Sequence, residues 1–254
     1  MTAVAGRVFP LAVADGRSAP PDALPACRVS FVVPVYNEAR TVIEVLERIE
    51  SLGLDRQIVV VDDGSTDGSA ELLEAWSSMR RDVVVLHQPN RGKGAALRAA
   101  ITRVDGEVVV VQDADGEYDP ADVPQLVEPI ARGVADVVFG SRLSGGRPQR
   151  AHLFWHLVGN RLLTLLTNVL FNTTLSDMET GYKAIRTDVL RALDLRQDDF
   201  RIEPELTAKV CLQKLRVYEI PIAYYGRTYD EGKKITWRDG FKALRVLVAL
   251  RLGA

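Results

Sequence analysis

The stretch Glu107-Val108-Val109-Val110-Val111-Gln112-Asp113-Ala114-Asp115 decides how this chain is read. Its apolar β-branched run predicts a buried strand. The strand then breaks into two carboxylates one residue apart. Their charges repel, and neither is easily buried without a partner. A divalent cation resolves the conflict, because hard ions such as Mg2+ take oxygen ligands and keep positions for substrate phosphates. For an isolated Asp-x-Asp, the plain alternative is a surface turn that caps the next helix.

The surrounding sequence repeats the pattern. Apolar runs at Val29–Val33, Ile58–Val61, Val83–Leu86 and Val137–Phe139 alternate with helical stretches at Glu38–Leu52, Asp67–Met79, Gly94–Val104 and Pro120–Ala131. Short β-branched runs separated by helices predict an α/β fold: an open, mostly parallel sheet with helices on both faces. Ligands of such sheets bind at the carboxyl ends of the strands. Asn37 and Glu38, Asp62 and Asp63, and Asp113 and Asp115 each follow a strand. All of them therefore belong to one edge, and that edge reads as one site.

Two turns on this edge carry further chemistry. In Asp62-Asp63-Gly64-Ser65-Thr66-Asp67-Gly68-Ser69, the glycines permit a tight turn and Thr66 or Asp67 caps a helix. Two adjacent carboxylates exceed that need, and one of them suits the N–H groups of uracil or guanine. Asn90-Arg91-Gly92-Lys93-Gly94 opens another helix, where backbone N–H groups favour phosphate and Lys93 adds a positive charge. Neither a Walker A loop nor Gly-x-Gly-x-x-Gly is present, which disfavours a dinucleotide cofactor.

Composition narrows the class. The 254 residues are 47% hydrophobic and 26% charged, with a formal net charge of −2. This suits a soluble globular protein and argues against a general nucleic-acid binder. Cys27 and Cys211 are isolated, so no disulfide framework or structural zinc is expected, and a reducing cytoplasm fits. Residues 1–26 are rich in Ala and Pro and read as a flexible tail rather than a signal peptide. No run of about 18 apolar residues predicts a spanning helix.

The second half differs. Between Asp136 and Asp177 there is no acidic residue, whereas Arg142, Arg147, Arg150, His152, His156 and Arg161 occur. The apolar stretches Ala151–Phe171 and Trp237–Leu252 each read as a core helix or as a helix lying at a membrane interface. Basic residues joined to apolar helices predict peripheral contact with the cytoplasmic face of a membrane.

Three motifs in this order resemble glycosyltransferase family 2: Val33-Pro34-Val35-Tyr36-Asn37-Glu38, Val61-Asp62-Asp63-Gly64-Ser65-Thr66-Asp67-Gly68 and Asp113-Ala114-Asp115. Gly140-Ser141-Arg142, Asp177-Met178-Glu179-Thr180-Gly181-Tyr182-Lys183, Glu219-Ile220-Pro221-Ile222 and Arg227 to Lys233 are similar to its dolichol- and polyprenyl-phosphate mannose synthase branch. The resemblance runs from Arg28 to the C-terminus. It implies a GT-A (Rossmann-like) catalytic domain over residues 27–230, then a loop and amphipathic helix over residues 231–254 as an acceptor-side helical extension.

The resemblance also implies roles. Pro34, Tyr36, Glu38, Val61 and Asp63 match positions that hold the nucleoside, and Ala114 and Lys93 join the nucleotide-sugar site. Asp113 and Asp115 match ligands of Mg2+ or Mn2+, with Glu117 a further ligand. Arg142 matches a basic residue near the reacting phosphates, and Asp115, Arg142 and Asp177 form the catalytic set. Arg227 and Lys233 match a loop that closes over the donor pyrophosphate and excludes water.

The match departs at His156-Leu157-Val158-Gly159-Asn160, where relatives place an arginine against the acceptor phosphate. Arg142, Arg150, His156 and Arg161 are the substitutes, together with Lys183, which stands where many relatives have arginine and lacks its bidentate fork.

The expected reaction is metal-dependent transfer of a hexose from a GDP- or UDP-linked sugar to a polyprenyl phosphate, with inversion implied by the family. A sugar or alcohol hydroxyl acceptor is the alternative and would need Asp177 or Glu179 as a base. A non-catalytic nucleotide-binding or receiver-like module is the remote one. No small membrane-protein partner is specified by the sequence.

Overall fold

The computed structural model describes residues 26–151, 154–227 and 237–253, without the side chains of Trp237 and Arg238. Nearly all of the N-terminal tail, His152 and Leu153, and the stretch from Thr228 to Thr236 that carries Lys233 lie outside the described residues.

The strands are β1 (Val29–Val35), β2 (Arg56–Asp62), β3 (Val83–His87), β4 (Val108–Val111), β5 (Val137–Ser141), β6 (Lys183–Arg186) and β7 (Val217–Pro221). They form one sheet in the order β3-β2-β1-β4-β6-β5-β7. Strands β1 to β4 are mutually parallel where they pair, and β7 runs parallel to β5. Strand β6 alone is antiparallel to its neighbours.

The five strands read from the sequence are present. Strands β6 and β7 were not anticipated. Lys183-Ala184-Ile185-Arg186 begins and ends on a cation, so it lacks the apolar run that marked the others. The Lys183 ammonium is nevertheless buried, because an anion is supplied from elsewhere in the fold.

Alternate strand residues face opposite layers. Phe31, Val33, Ile58 and Val60 pack with α1 (Val42–Glu50), α2 (Ser69–Ser77) and α4 (Val123–Ala131). Val32, Val59, Val61 and Val109 pack with α3 (Lys93–Ile101), α6 (Thr187–Ala192) and α7 (Ile202–Leu212). Each fully buried Val, Leu or Ile contributes roughly 1.5–3 kcal/mol by leaving water.

Two long helices complete the chain: α5 (Phe154–Phe171) and α8 (Trp237–Leu252). Helix α8 seats Leu247, fully buried, in the core layer of α7. Helix α5 is inverted. Its buried residues are Thr164 and Thr167, while Phe154, Trp155, Leu162, Leu165 and Val169 are exposed. Among the described residues, no helix is long and apolar enough to cross a membrane.

The strand order reverses between β1 and β4. The chain moves outward from β1 to β3, then returns to place β4 on the other side of β1. The two outgoing loops diverge there and leave a crevice at the carboxyl edge.

Candidate active site

That crevice opens into a cavity of about 860 Å³. Pro34, Tyr36 and Glu38 after β1, Asp63 after β2, and Asp113, Ala114, Asp115 and Glu117 after β4 line it. The carboxylates expected on one edge therefore share one chamber. Lys93, Arg142, His156, Glu179 and Arg227 also line it. The chamber continues past Trp155 and Leu163 of α5 to Gly240 and Ala243 of α8.

Asp63 is fixed by the loop before α3. Its carboxylate accepts from the backbone N–H groups of Arg91 at 2.9 Å and Gly92 at 2.7 Å, and from Gln88 Nε2 at 2.7 Å. In the first turn of that helix, the Ala95 N–H donates to the Asp198 carbonyl at 2.9 Å. At the glycine-rich start of α3, the N–H groups of Arg91, Gly92 and Ala95 are thus taken by protein acceptors and are not offered to a phosphate. Gly92 is at φ +100°, and a Cβ there would meet the Asp198 carbonyl oxygen at 2.7 Å, so the loop is closed over by protein.

Lys93 turns inward instead. Its ammonium lies 2.7 Å from Asp113 Oδ1 and 3.1 Å from Glu203 Oε1. Burial alone would lower its pKa, but Asp113 and Glu203 outweigh that and hold it raised. Glu203 also pairs with Lys183 at 2.5 Å. An alternating chain results: Asp113, Lys93, Glu203, Lys183. It neutralises the floor of the cavity without solvent.

Asp115 has no such cation of its own. Burial, then Asp113 and Glu117, raise its pKa to about 7. The Glu117 N–H and Arg227 act the other way, too weakly to cancel this. The crowding of Asp113, Asp115 and Glu117 in one chamber suits a divalent cation. Among the described residues no three carboxylate, imidazole or thiol side chains gather closely enough to hold an ion unaided. Asp113 and Asp115 fit an ion whose remaining ligands are water and substrate phosphate oxygens. Glu117, the further ligand expected, lines the same chamber; Tyr224 Oη donates to it at 2.7 Å and the Arg227 N–H at 2.6 Å.

Arg227 itself bridges the crevice. Its guanidinium bonds Glu38 Oε2 at 2.8 Å, Thr41 Oγ1 at 3.2 Å and the Asp115 carbonyl.

Arg142 forms a two-pronged pair with Asp177, with Nε to Oδ2 at 2.6 Å and Nη2 to Oδ1 at 2.7 Å. Its guanidinium carbon lies 5.2 Å from the Tyr224 ring centroid. Asn160 Nδ2 donates to the same Asp177 carboxylate at 2.9 Å. Burial pushes the Asp177 pKa up, and Arg142 more than offsets that, leaving it lowered.

Several residues read from sequence do not reach the chamber. Val61 is wholly buried in the layer beneath. Asp177 has no exposed surface and is held in the Arg142 pair, a poor position for a catalytic base. Lys183 is 1% exposed and bound to Glu203 and the Thr180 carbonyl, so it is a floor residue and not an acceptor-phosphate contact. Arg150 donates to the Gly226 carbonyl at 2.9 Å and lines no part of the chamber. For Asp177 and Lys183 the cause is the same: a charged side chain near the motif has its partner inside the fold. Lys233 lies outside the described residues.

Sequence reasoning missed Glu203, Tyr118 and Tyr224. Glu203 stands in the first turn of α7, where an acidic residue also complements the helix dipole, so nothing marked it as buried.

The profile of "Glycosyl transferase family 2" matches residues 30–194. The chain belongs to that family. Glycosyltransferase AglJ of Haloferax volcanii is 31% identical over 78% of this chain and 63% of its own length. The chain therefore spans less than two thirds of that relative. An undecaprenyl-phosphate mannosyltransferase of Micrococcus luteus is 30% identical over 81% of this chain and 87% of its own. Among solved structures, glucosyl-3-phosphoglycerate synthase from Mycobacterium tuberculosis with Mn2+, UDP-glucose and phosphoglyceric acid aligns with a TM-score of 0.66. It is 23% identical and covers 89% of this chain and 80% of the other, which establishes the shared fold.

Proposed function

We propose that this chain transfers a hexose from a nucleotide diphosphate sugar to a polyprenyl phosphate at a membrane surface. One observation carries the reading. The chamber that holds Asp63, Asp113 and Asp115 is also lined by α5 and α8, whose exposed residues include the apolar Trp155, Leu162, Phe241 and Val248 beside the basic Arg161, Lys242 and Arg245. A water-soluble donor and a lipid acceptor thus reach the same point from opposite ends.

At the donor end, Asp63 and the Pro34–Glu38 turn take the nucleoside, UDP- or GDP-linked. Asp113 and Asp115 would hold Mg2+ or Mn2+, which offsets charge on the leaving nucleotide when bound. Arg227, already across the crevice, orients the pyrophosphate. At the acceptor end, a phosphate monoester is mostly dianionic near neutral pH, its second pKa being roughly 6. It attacks the anomeric carbon in a single displacement and needs no base. That agrees with Asp177 being spent on Arg142. Arg142 and His156, both lining the chamber, are the groups placed to meet the incoming phosphate.

The inverted helix α5 supports a peripheral membrane position. Trp155 is 78% exposed and Val169 72% exposed, on the same helix as the solvent-exposed Arg161. Exposed Phe241 and Val248 on α8 add a second apolar element. Apolar faces with basic residues suit an anionic lipid interface.

A donor screen tests the function. Nucleotide release from UDP- and GDP-sugars is measured with Mn2+, with and without a short-chain polyprenyl phosphate. Release that depends on the lipid phosphate supports the reading. Release stimulated only by a hydroxyl acceptor refutes it.

A further inference from the structure

The segment from Asp177 to Gly181 is anchored along its length. Asp177 is held by Arg142 and Asn160. The Met178 N–H donates to Thr164 Oγ1 at 3.2 Å, and the Gly181 N–H to Tyr118 Oη at 3.0 Å. The Thr180 carbonyl accepts from Lys183 Nζ. The segment also lies directly against the Asp113 site: a Cβ on Gly181 would sit 2.7 Å from Asp113 Oδ2 and 2.9 Å from Lys93 Nζ.

Glu179 is the exception in this fixed stretch. Its side chain lines the chamber. Its Oε1 atom is buried and has no hydrogen-bond partner among the described residues. Burial, and then Glu203, push its pKa to about 7, against the pull of Lys183 and Arg142. A buried acceptor left without a donor is costly, and the anchored neighbours cannot relax onto it. The missing donor therefore belongs to a ligand.

Topology says which part of the ligand. Along the carboxyl edge the order is β2, β1, β4, β6. Asp63 follows β2, the Asp113 cluster follows β4, and Glu179 precedes β6. A donor laid along that edge puts its base near Asp63, its diphosphate near Asp113 and its sugar near Glu179. The base N–H groups are then too far along the edge to serve. A dianionic acceptor phosphate offers only acceptor oxygens and is repelled by a carboxylate. A sugar hydroxyl is a donor of the right kind at the right end.

We propose that Glu179 Oε1 accepts a hydroxyl of the sugar being transferred, which makes Glu179 a residue that selects the donor sugar. This rests on the nucleotide-sugar reading above. The test is calorimetric titration of the wild type, Glu179→Ala and Glu179→Gln with UDP-glucose and GDP-mannose, and with UDP and GDP, all with Mn2+. For the sugar nucleotide that the wild type binds, Glu179→Ala is expected to weaken affinity about tenfold or more. Affinity for the matching nucleoside diphosphate stays within about twofold, and Glu179→Gln, which keeps an acceptor oxygen, loses less. A deoxy-sugar analogue lacking the contacted hydroxyl weakens binding to the wild type but not to Glu179→Ala.

Equal losses for sugar nucleotide and nucleoside diphosphate would overturn the proposal, since they would mark a packing role. Unchanged sugar-nucleotide affinity in Glu179→Ala would overturn it too; if turnover collapsed at the same time, Glu179 would belong to the acceptor. A wild type that binds no sugar nucleotide at all would instead remove the nucleotide-sugar reading itself.

Discussion

Lys93 Nζ lies 2.7 Å from Asp113 Oδ1, inside the protein and beneath the mouth of the cavity. Half of the crowded Asp113–Asp115 pair is thereby neutralised from within, before any substrate arrives. Replacing Lys93 by Met leaves the part-buried Asp113 carboxylate without its cation and Glu203 with Lys183 alone. Breaking a buried pair by removing one partner costs about 3–5 kcal/mol. Because Asp113 is part-exposed and Glu203 keeps Lys183, urea unfolding of Lys93→Met is expected to show a loss at or below the lower end of that range, with an unchanged denaturant slope.

Glu203 carries two cations, Lys93 and Lys183, and its substitution is more damaging than that of Lys183. Glu203→Gln leaves the buried Lys183 ammonium without an anion and Lys93 with Asp113 alone, whereas Lys183→Met leaves a Glu203 carboxylate that still has Lys93 at 3.1 Å. In a double-mutant cycle the two changes are expected to be strongly non-additive, because they share one network. Additive unfolding energies would contradict the shared chain.

Asp136 sets part of the acid stability. Arg216 bonds its carboxylate, at 2.8 Å to Oδ1 and 3.0 Å to Oδ2, and Arg186 adds a third contact. Arg216 is the main cause of a pKa lowered from 3.8 to about 2. A carboxyl depressed in the folded state stabilises the protein above its unfolded pKa and loses that contribution as pH falls through its folded one. Stability should therefore decline between pH 4 and pH 2, by about 1 kcal/mol from this group once solvent screening of the half-exposed Arg216 is allowed for. Asp136→Asn should flatten that part of the stability curve.

The outer faces of α5 and α8 are expected to bind anionic lipid. Flotation with phosphatidylglycerol vesicles at low salt should carry the wild type upward. Trp155→Glu combined with Phe241→Glu should abolish flotation while leaving nucleotide binding intact. Flotation equal to the wild type would remove the membrane face from the account.

Much of this architecture was legible in the sequence. Four-residue valine and isoleucine runs announced the parallel strands, and the carboxylates after them announced the edge. The legible signals were periodic or local. What stayed hidden depended on partners distant in sequence. Lys183 looked like a free cation until Glu203, on a later helix, buried it. Asp177 looked like a base until Arg142 took both of its oxygens. The start of α3 read as a phosphate cradle, and only the fold showed that the N–H groups of Arg91, Gly92 and Ala95 go to Asp63 and the Asp198 carbonyl. Helix α5 carried a readable apolar period, yet only the fold showed that its threonines face inward.

The central claim is that Asp113 and Asp115 recruit an activated sugar through a divalent ion. The direct measurement is calorimetric titration of UDP- and GDP-sugars into the wild type and Asp115→Asn, with Mn2+ and then with EDTA. The account predicts binding of a sugar nucleotide that needs Mn2+ in the wild type, and at least about tenfold weaker binding in Asp115→Asn. Equal affinity with EDTA, or in Asp115→Asn, would contradict it.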